Sequence, residues 1–158
     1  MDSRIEEILK TFPGLRYDDG FRITSPEDVD YNCIAWAFGH KDCWLWPDEE
    51  TDGVNVWPKD CDDISVRTFI EAYKKQGYEV CDSDEQEADM EKIALYAFPD
   101  VDECTHAARQ LPDGTWTSKL GQSFDISHAS PYTIQGRLYG MVACIMRRRK
   151  QEFLEAVS

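Results

Sequence analysis

The chain has 158 residues and a formal net charge of −14, which predicts one domain with room for one sizeable core. Hydrophobic residues make up 42% of the chain, a share that favours a packed globule over a disordered chain. The negative charge would repel nucleic acid and anionic membranes, and no apolar run approaches the roughly 20 residues of a membrane span. We therefore expect neither nucleic acid nor membrane as a partner.

The N-terminal segment 1–7 lacks the apolar stretch and cleavage site of a signal peptide. We therefore expect a cytoplasmic protein, or one delivered by a secretion system that needs no cleaved signal. The six cysteines are dispersed and form no Cys-x-x-Cys pair, so we expect reduced thiols, no bound metal and no cofactor. The less favoured alternative is a metal site built from Cys33, Cys104, His106 and His128.

Three helices are predicted in the first half of the chain. Residues 3–12 place Ile5, Ile8, Leu9 and Phe12 on one apolar face. Residues 15–29 read as a polar connection. The second helix begins near Cys33 and ends at Gly39, capped by Asp30 or Asn32. The third runs over residues 65–76, after a connection that carries three tryptophans.

Five strands are predicted in the second half, over residues 78–81, 92–98, 104–111, 115–120 and 138–147. Pro112-Asp113-Gly114 is a turn of the kind that closes a hairpin. Residues 121–135 read as a loop, and residues 149–158 as a tail or a helix. The basic cluster 147–150 is predicted to be a solvated strand end, in preference to an RNA contact. Helices first and strands second predict a single α+β domain over residues 1–158, with the helices on one side of an antiparallel sheet.

Cys33 is the candidate nucleophile because it lies in the first turn of the predicted second helix. The positive end of a helix dipole and its unpaired N–H groups favour a thiolate. The same N–H groups could hold an oxyanion. The alternative, favoured by the local sequence alone, is a small buried residue on an apolar helix.

His106 is the candidate base because its predicted strand face carries small or polar neighbours, Ala108 and Gln110, which leave room for an imidazole and a substrate. Asp125 is the favoured residue to orient the ring, with His128 and Ser118 as alternatives. Depending on turn length, the hairpin places Thr117, Ser118 or Lys119 opposite His106. Candidate substrate-binding residues are Asn32, Trp36 and Lys119; Lys119 or Arg109 would bind a substrate carboxylate.

A cysteine at a helix start, then a strand histidine, then a third polar residue resembles the papain-like cysteine peptidases. The NlpC/P60 branch, which cleaves peptidoglycan peptides, is the nearest named one. The resemblance implies a papain-like fold, with the domain core over about residues 12–148. The segments Asn32–Ala37, His106–Leu111 and Ser118–Gly121 also resemble an uncharacterised bacterial domain family. Two departures are Asn32-Cys33-Ile34, where NlpC/P60 has Asp-Cys-Ser, and Ser118 near the place of the third residue.

The sequence thus predicts a cysteine hydrolase that cleaves an amide or peptide bond through a thioester on Cys33, with His106 as base and acid. The substrate would be a peptide or another amide-containing molecule, such as a peptidoglycan peptide or a protein. A non-catalytic protein-interaction domain on a papain-like scaffold is the alternative. The pattern leaves the oligomeric state open, and it does not separate a peptidase from an amidase, deamidase or acyltransferase.

Overall fold

The computed structural model describes residues 3–25, 64–98, 100–120 and 125–149. Helix α1 spans Ser3–Thr11 and α2 spans Val66–Lys75, which confirms two of the predicted helices. Ser65 caps α2, because its side chain accepts a hydrogen bond from the Thr68 amide at 3.3 Å. The predicted helix that begins near Cys33 lies outside the described residues.

The described strands form one sheet of seven, in the order β1-β6-β5-β4-β3-β7-β2. All pairings in it are antiparallel. Two short 3₁₀ helices, η1 (Pro13–Tyr17) and η2 (Pro131–Ile134), lie outside the sheet. The strands are β1 (Arg22–Ser25), β2 (Glu79–Cys81), β3 (Met90–Phe98), β4 (Glu103–Gln110), β5 (Trp116–Lys119), β6 (Asp125–His128) and β7 (Met141–Arg149).

The five predicted strands are present as β2, β3, β4, β5 and β7, but the expected count of five is wrong. Two strands were not predicted. Strand β1 lies in the expected polar connection, and β6 lies in the expected loop. Each has only four residues, too few to show a clear alternation. They pair with each other, for example Arg22 with Ser127, so β1 depends on a partner about a hundred residues away in the chain.

One face of the sheet packs against α1, η1 and η2, and we call it the α1 face. Residues of α1 and the 3₁₀ helices form a single buried cluster with alternate strand residues. The register places the side chains of paired residues on the same face, and successive residues on opposite faces. The strand members of this cluster are Ala94, Tyr96, Ala108, Trp116, Ile126 and Ile145.

The opposite face packs against α2, and we call it the α2 face. Ile93, Leu95 and Met146 alternate with the α1-face residues and are fully buried. Arg148 extends from this face toward the end of α2, where its guanidinium donates to the Gln76 carbonyl at 2.9 Å. The two described helices therefore cover opposite faces, and the prediction that the helices pack on one side is corrected. Buried residues on both faces require cover on both.

The basic cluster near the C-terminus is tied into the sheet. Arg147 binds Glu79 and Glu87, and Arg148 binds Glu91. Both arginines, with Arg149, belong to β7, so Arg149, expected in the C-terminal tail or helix, is part of a strand. The rest of that predicted segment, residues 150–158, lies outside the described part. Acidic partners, in addition to solvent, balance these charges. Among the described residues, no helix is long and apolar enough to cross a membrane.

Candidate functional site

His106 lies in the middle of β4, on the α1 face of the sheet. It is fully buried and pairs with Tyr96 on β3. Its ring stacks on Tyr139, with ring centroids 4.0 Å apart and planes inclined by 8°, and it also contacts the Tyr96 ring at 5.2 Å. Two aromatic rings therefore fix the position of the imidazole.

The backbone holds both aromatic neighbours in place. The Thr105 hydroxyl donates to the Tyr139 carbonyl at 2.5 Å, and the Tyr96 hydroxyl donates to the Pro131 carbonyl at 2.6 Å. The first of these bonds joins β4 to the segment before β7, and the second joins β3 to η2. The surroundings of His106 are thus assembled from four separate parts of the chain: β3, β4, η2 and the segment before β7.

Neither ring nitrogen of His106 has a hydrogen-bond partner among the described residues. Burial, and then the nearby His128, hold the pKa of His106 well below its usual 6.5. The ring is therefore neutral, with one nitrogen able to accept a proton. A buried polar side chain with no partner is uncommon in proteins and is a known feature of functional sites.

A second buried histidine, His128 on β6, is fully hydrogen-bonded. Its Nδ1 lies 2.8 Å from the Ser130 carbonyl, and its Nε2 lies 2.8 Å from the Ser118 hydroxyl. Because a carbonyl can only accept, Nδ1 carries the proton and Nε2 accepts from Ser118. Burial lowers the pKa of His128 below 6.5, against the opposing effects of the Ser130 carbonyl and Asp18.

Asp18 fixes the loop that carries the Ser130 carbonyl. Its carboxylate accepts from the amides of Gly20, Ala129 and Ser130 and from the Thr133 hydroxyl, at 2.7–3.3 Å. Burial would raise the pKa of Asp18, but these hydrogen bonds outweigh it and hold the pKa below 3.8. Asp18 therefore keeps its charge near neutral pH and links η1 to the end of β6.

The sheet register separates the proposed third residues. Ser118 pairs with Ile126, and Lys119 pairs with Asp125. By strict alternation, His106, Ser118 and His128 share the α1 face, whereas Lys119 and Asp125 lie on the α2 face. The register thus does not bring the favoured residue, Asp125, to the His106 ring.

The two alternatives share the face of His106 but do not bond to it. Both nitrogens of His128 are already used, and Ser118 bonds to His128. Arg109 pairs with Thr117, so the same register continued would place Ser118 opposite Ala108 and not opposite His106. Among the described residues, the rings of Tyr139 and Tyr96 support the His106 ring in place of the expected polar residue.

Lys119 is fully buried on the α2 face, with Asp125 as its cross-strand neighbour. Arg109 belongs to the same face, because it pairs with Thr117 one residue before Ser118. Neither cation shares a face with His106, so neither would reach a substrate bound at that ring from the α1 side.

The remaining predicted site residues, Cys33, Asn32 and Trp36, lie outside the described residues. The pairing of Cys33 with His106 stays a prediction. In the described ranges, no three His, Cys, Asp or Glu side chains lie close enough together to hold a metal ion. Cys104 directs its thiol to the carbonyl of His106 at 3.8 Å.

Sequence reasoning missed Asp18, Tyr96 and Tyr139 as parts of this site. Asp18 precedes Asp19 and Gly20 in a segment that looked like an ordinary polar turn. The two tyrosines fall in strand-like runs in which an aromatic residue is expected for packing alone. The only available signal for Asp18 was its short acidic side chain next to a turn glycine, which is typical of side-chain to backbone hydrogen bonding.

A family model described as a domain of unknown function, DUF7689, matches residues 22–147. No curated protein and no solved structure matches the chain. The matched range runs from β1 into β7 and contains His106, Ser118 and His128. Because the match covers well over half of the chain, the protein belongs to the DUF7689 family of domains of unknown function.

Proposed function

We propose that the protein is a cysteine hydrolase in which His106 is the general base and acid for the Cys33 thiol. The observation that carries the proposal is the fully buried, neutral imidazole of His106, whose two nitrogens have no partner among the described residues. Such a ring is uncharged, held in place and free to accept a proton. A nucleophilic thiol needs a neighbouring base with these properties.

Every proton in the proposed reaction passes between Cys33, His106, the substrate and water. A His106 nitrogen takes the proton of the Cys33 thiol, and the sulfur bonds to the carbonyl carbon of an amide. When the carbon–nitrogen bond breaks, the imidazolium returns the proton to the leaving amine. Water then attacks the thioester with His106 again as base, which releases the carboxylic acid and restores the thiol. Stacking on Tyr139 would hold the ring through both proton transfers.

The substrate class follows from that chemistry alone. The reaction needs only an amide carbonyl, which could belong to a peptide, a peptidoglycan peptide or a protein side chain. The papain-like resemblance and the Cys33–His106 order support a peptide bond. The proposal places no residue in the role of a third catalytic member, because Asp125 lies on the other face and His128 and Ser118 bond to each other.

The second candidate function is a non-catalytic protein-interaction domain. The observation that favours it is the close packing of His106 between Tyr139 and Tyr96 with no exposed surface. In that case, the ring is a core residue that tolerates burial by staying neutral. The two functions differ in one measurable property, the reactivity of the Cys33 thiol.

Alkylation of the native protein with iodoacetamide between pH 5 and 9, read by peptide mass spectrometry, tests the proposal. We expect Cys33 to react at least tenfold faster than Cys43 and Cys61 at pH 7, because a thiol paired with a base is partly thiolate below its ordinary pKa of about 8.5. In a His106→Phe variant, which keeps a ring at the site, the excess reactivity should vanish. A His40→Ala variant is the control.

If Cys33 in the native protein reacts no faster than Cys43 and Cys61, the hydrolase proposal is wrong and the interaction domain is favoured. If Cys33 is fast but His106→Phe leaves its rate and pH profile unchanged, His106 is not the base. Circular dichroism of each variant would show whether the fold is retained.

A further inference from the structure

The connection between β2 and β3 crosses the α1 face, where it contacts Lys92 and Gln110. Residues 82–87, which we call the strap, connect the edge strand β2 and its neighbour β7 to the turn after β4. The Gln110 amide donates to the Asp84 carbonyl at 3.0 Å, and the Gln86 amide donates to the Pro112 carbonyl. Five of the six strap residues carry a carboxylate or an amide, and the sixth is Ser83.

The strap is held over the sheet by charge. Lys92 on β3 is fully buried; its ammonium donates to the Ser83 carbonyl at 2.7 Å and pairs with Glu87 at 2.8 Å. Arg147 on β7 binds the same Glu87 carboxylate at 2.7 and 3.0 Å. Glu87 is therefore the one strap carboxylate that joins two cations from two different strands.

Apolar packing contributes little to this attachment. All six strap residues belong to the described part of the chain, and their side chains are exposed or half-buried. A cavity of about 370 Å³ lies between the strap, Cys81 and Arg147. A segment with polar contacts and no buried apolar side chain opens locally at a much smaller free energy than the sheet below it.

We propose that residues 82–87 form an ionic strap that opens as a unit when the Glu87 contacts break, and that opening uncovers Lys92 and the thiol of Cys81. Cys81 lines the cavity, and its thiol lies 3.5 Å from the strap carbonyl of Ser83. Its exposure to solvent therefore depends on the position of the strap. The device is independent of the hydrolase proposal, because it involves none of the residues in that reaction.

The rate of Cys81 alkylation tests the strap. Glu87→Gln keeps the shape of the side chain and removes its charge. We expect Cys81 to react about tenfold faster in this variant, because charge-assisted hydrogen bonds are roughly twice as strong as neutral ones. Cys144 precedes Ile145, the residue that pairs with Cys81, and therefore lies on the α2 face. Its alkylation rate should not change. Glu85→Gln is the matched control, since Glu85 makes no ion pair among the described residues, and it should leave Cys81 within twofold of the native rate.

Hydrogen exchange on the native protein provides a test that needs no variant. We expect the strap amides to exchange faster than the β3 amides, and to accelerate further when KCl rises from 0.05 to 1 M, because salt screens partly exposed charges. Equal exchange of the strap and β3, or equal Cys81 rates in Glu87→Gln and Glu85→Gln, would overturn the proposal. A parallel rise of Cys81 and Cys144 in Glu87→Gln alone would also overturn it, since that pattern reports loss of the sheet.

Discussion

Two titratable side chains on the α1 face are buried in opposite ways. Lys92 on β3 and His106 on β4 both have no exposed surface. Lys92 retains an ion pair with Glu87 and a backbone acceptor, whereas His106 has no hydrogen-bond partner among the described residues and a pKa held well below 6.5. An imidazole titrates close to neutral pH and loses its proton at small cost, but an ammonium group does not.

This difference shows which of the two buried side chains still has an unused hydrogen-bonding atom. A paired cation such as Lys92 is already satisfied, and its partner determines the position of a surface segment. An unpaired neutral imidazole keeps an unused acceptor inside the protein. Under the two proposals above, the His106 end of the face serves proton transfer and the Lys92 end holds the strap. Four substitutions or conditions would break or sharpen that contrast.

The largest effect is expected at the aromatic support of His106. Tyr139→Ala removes the stacked ring and leaves a cavity beside the imidazole, so we expect a loss of about 3–4 kcal/mol in the free energy of unfolding. Tyr139→Phe keeps the stacked ring and should cost much less. Urea denaturation followed by tryptophan fluorescence measures both. An equal loss in the two variants would show that the Tyr139 hydroxyl, not the ring, stabilises this region.

Lys92→Ala is expected to lower the free energy of unfolding by about 2–3 kcal/mol. The variant loses the packing of a buried aliphatic stem and leaves the Ser83 carbonyl without its donor. Lys92→Met retains most of the stem volume and should lose about half as much. The same denaturation experiment compares them. A Lys92→Met protein more stable than the native one would show that the ion pair positions the strap at a net cost.

Acid should destabilise the protein through its buried histidines. The pKa values of His106 and His128 are lowered in the folded state, so below pH 6.5 the unfolded chain binds protons that the folded chain does not. Stability is then complete above pH 6.5 and falls as the pH drops, by up to about 1.4 kcal/mol per pH unit for each histidine. His106→Phe should reduce this slope by one histidine. If the slope between pH 6.5 and 5 is the same in His106→Phe as in the native protein, the neutral state of His106 is contradicted.

The smallest effect is expected at Ser118. Ser118→Ala removes the donor to His128 Nε2 and should cost about 1–2 kcal/mol. The ¹⁵N chemical shift of Nε2 should move toward that of an acceptor without a partner, while Nδ1 remains protonated toward Ser130. Ser127→Ala, on the other face of β6, is the control and should leave the His128 spectrum unchanged. A native spectrum with the proton on Nε2 would contradict the assigned tautomer.

Much of the described fold could be predicted from local patterns. The spacing of Ile5, Ile8 and Leu9 predicted α1, and the alternation along β7 predicted that strand. The turn at Pro112–Gly114 predicted the β4–β5 hairpin, which the Leu111 amide closes onto the Thr115 carbonyl at 2.7 Å. These features depend on neighbours a few residues apart, so they can be derived from a short stretch of sequence.

The candidate site could be predicted only in part. His106 was placed on the correct strand, and its neighbours Ala108 and Gln110 share its face as expected. Asp125 and His128 were both expected in one loop as candidates to orient the ring, but two positions an odd number of residues apart on one strand face opposite sides. A loop was expected there, and a loop has no such alternation.

The sequence by itself determined two of the helices, five of the strands, and the position of His106 on β4. Only the tertiary structure decided the pairing of β1 with β6, the placement of α1 and α2 on opposite faces, and the burial of Lys92, Lys119 and His106. Helical and strand periodicity arises from contacts within one segment. Register and burial arise from contacts between segments far apart in the chain, and their free energy appears only when those segments meet.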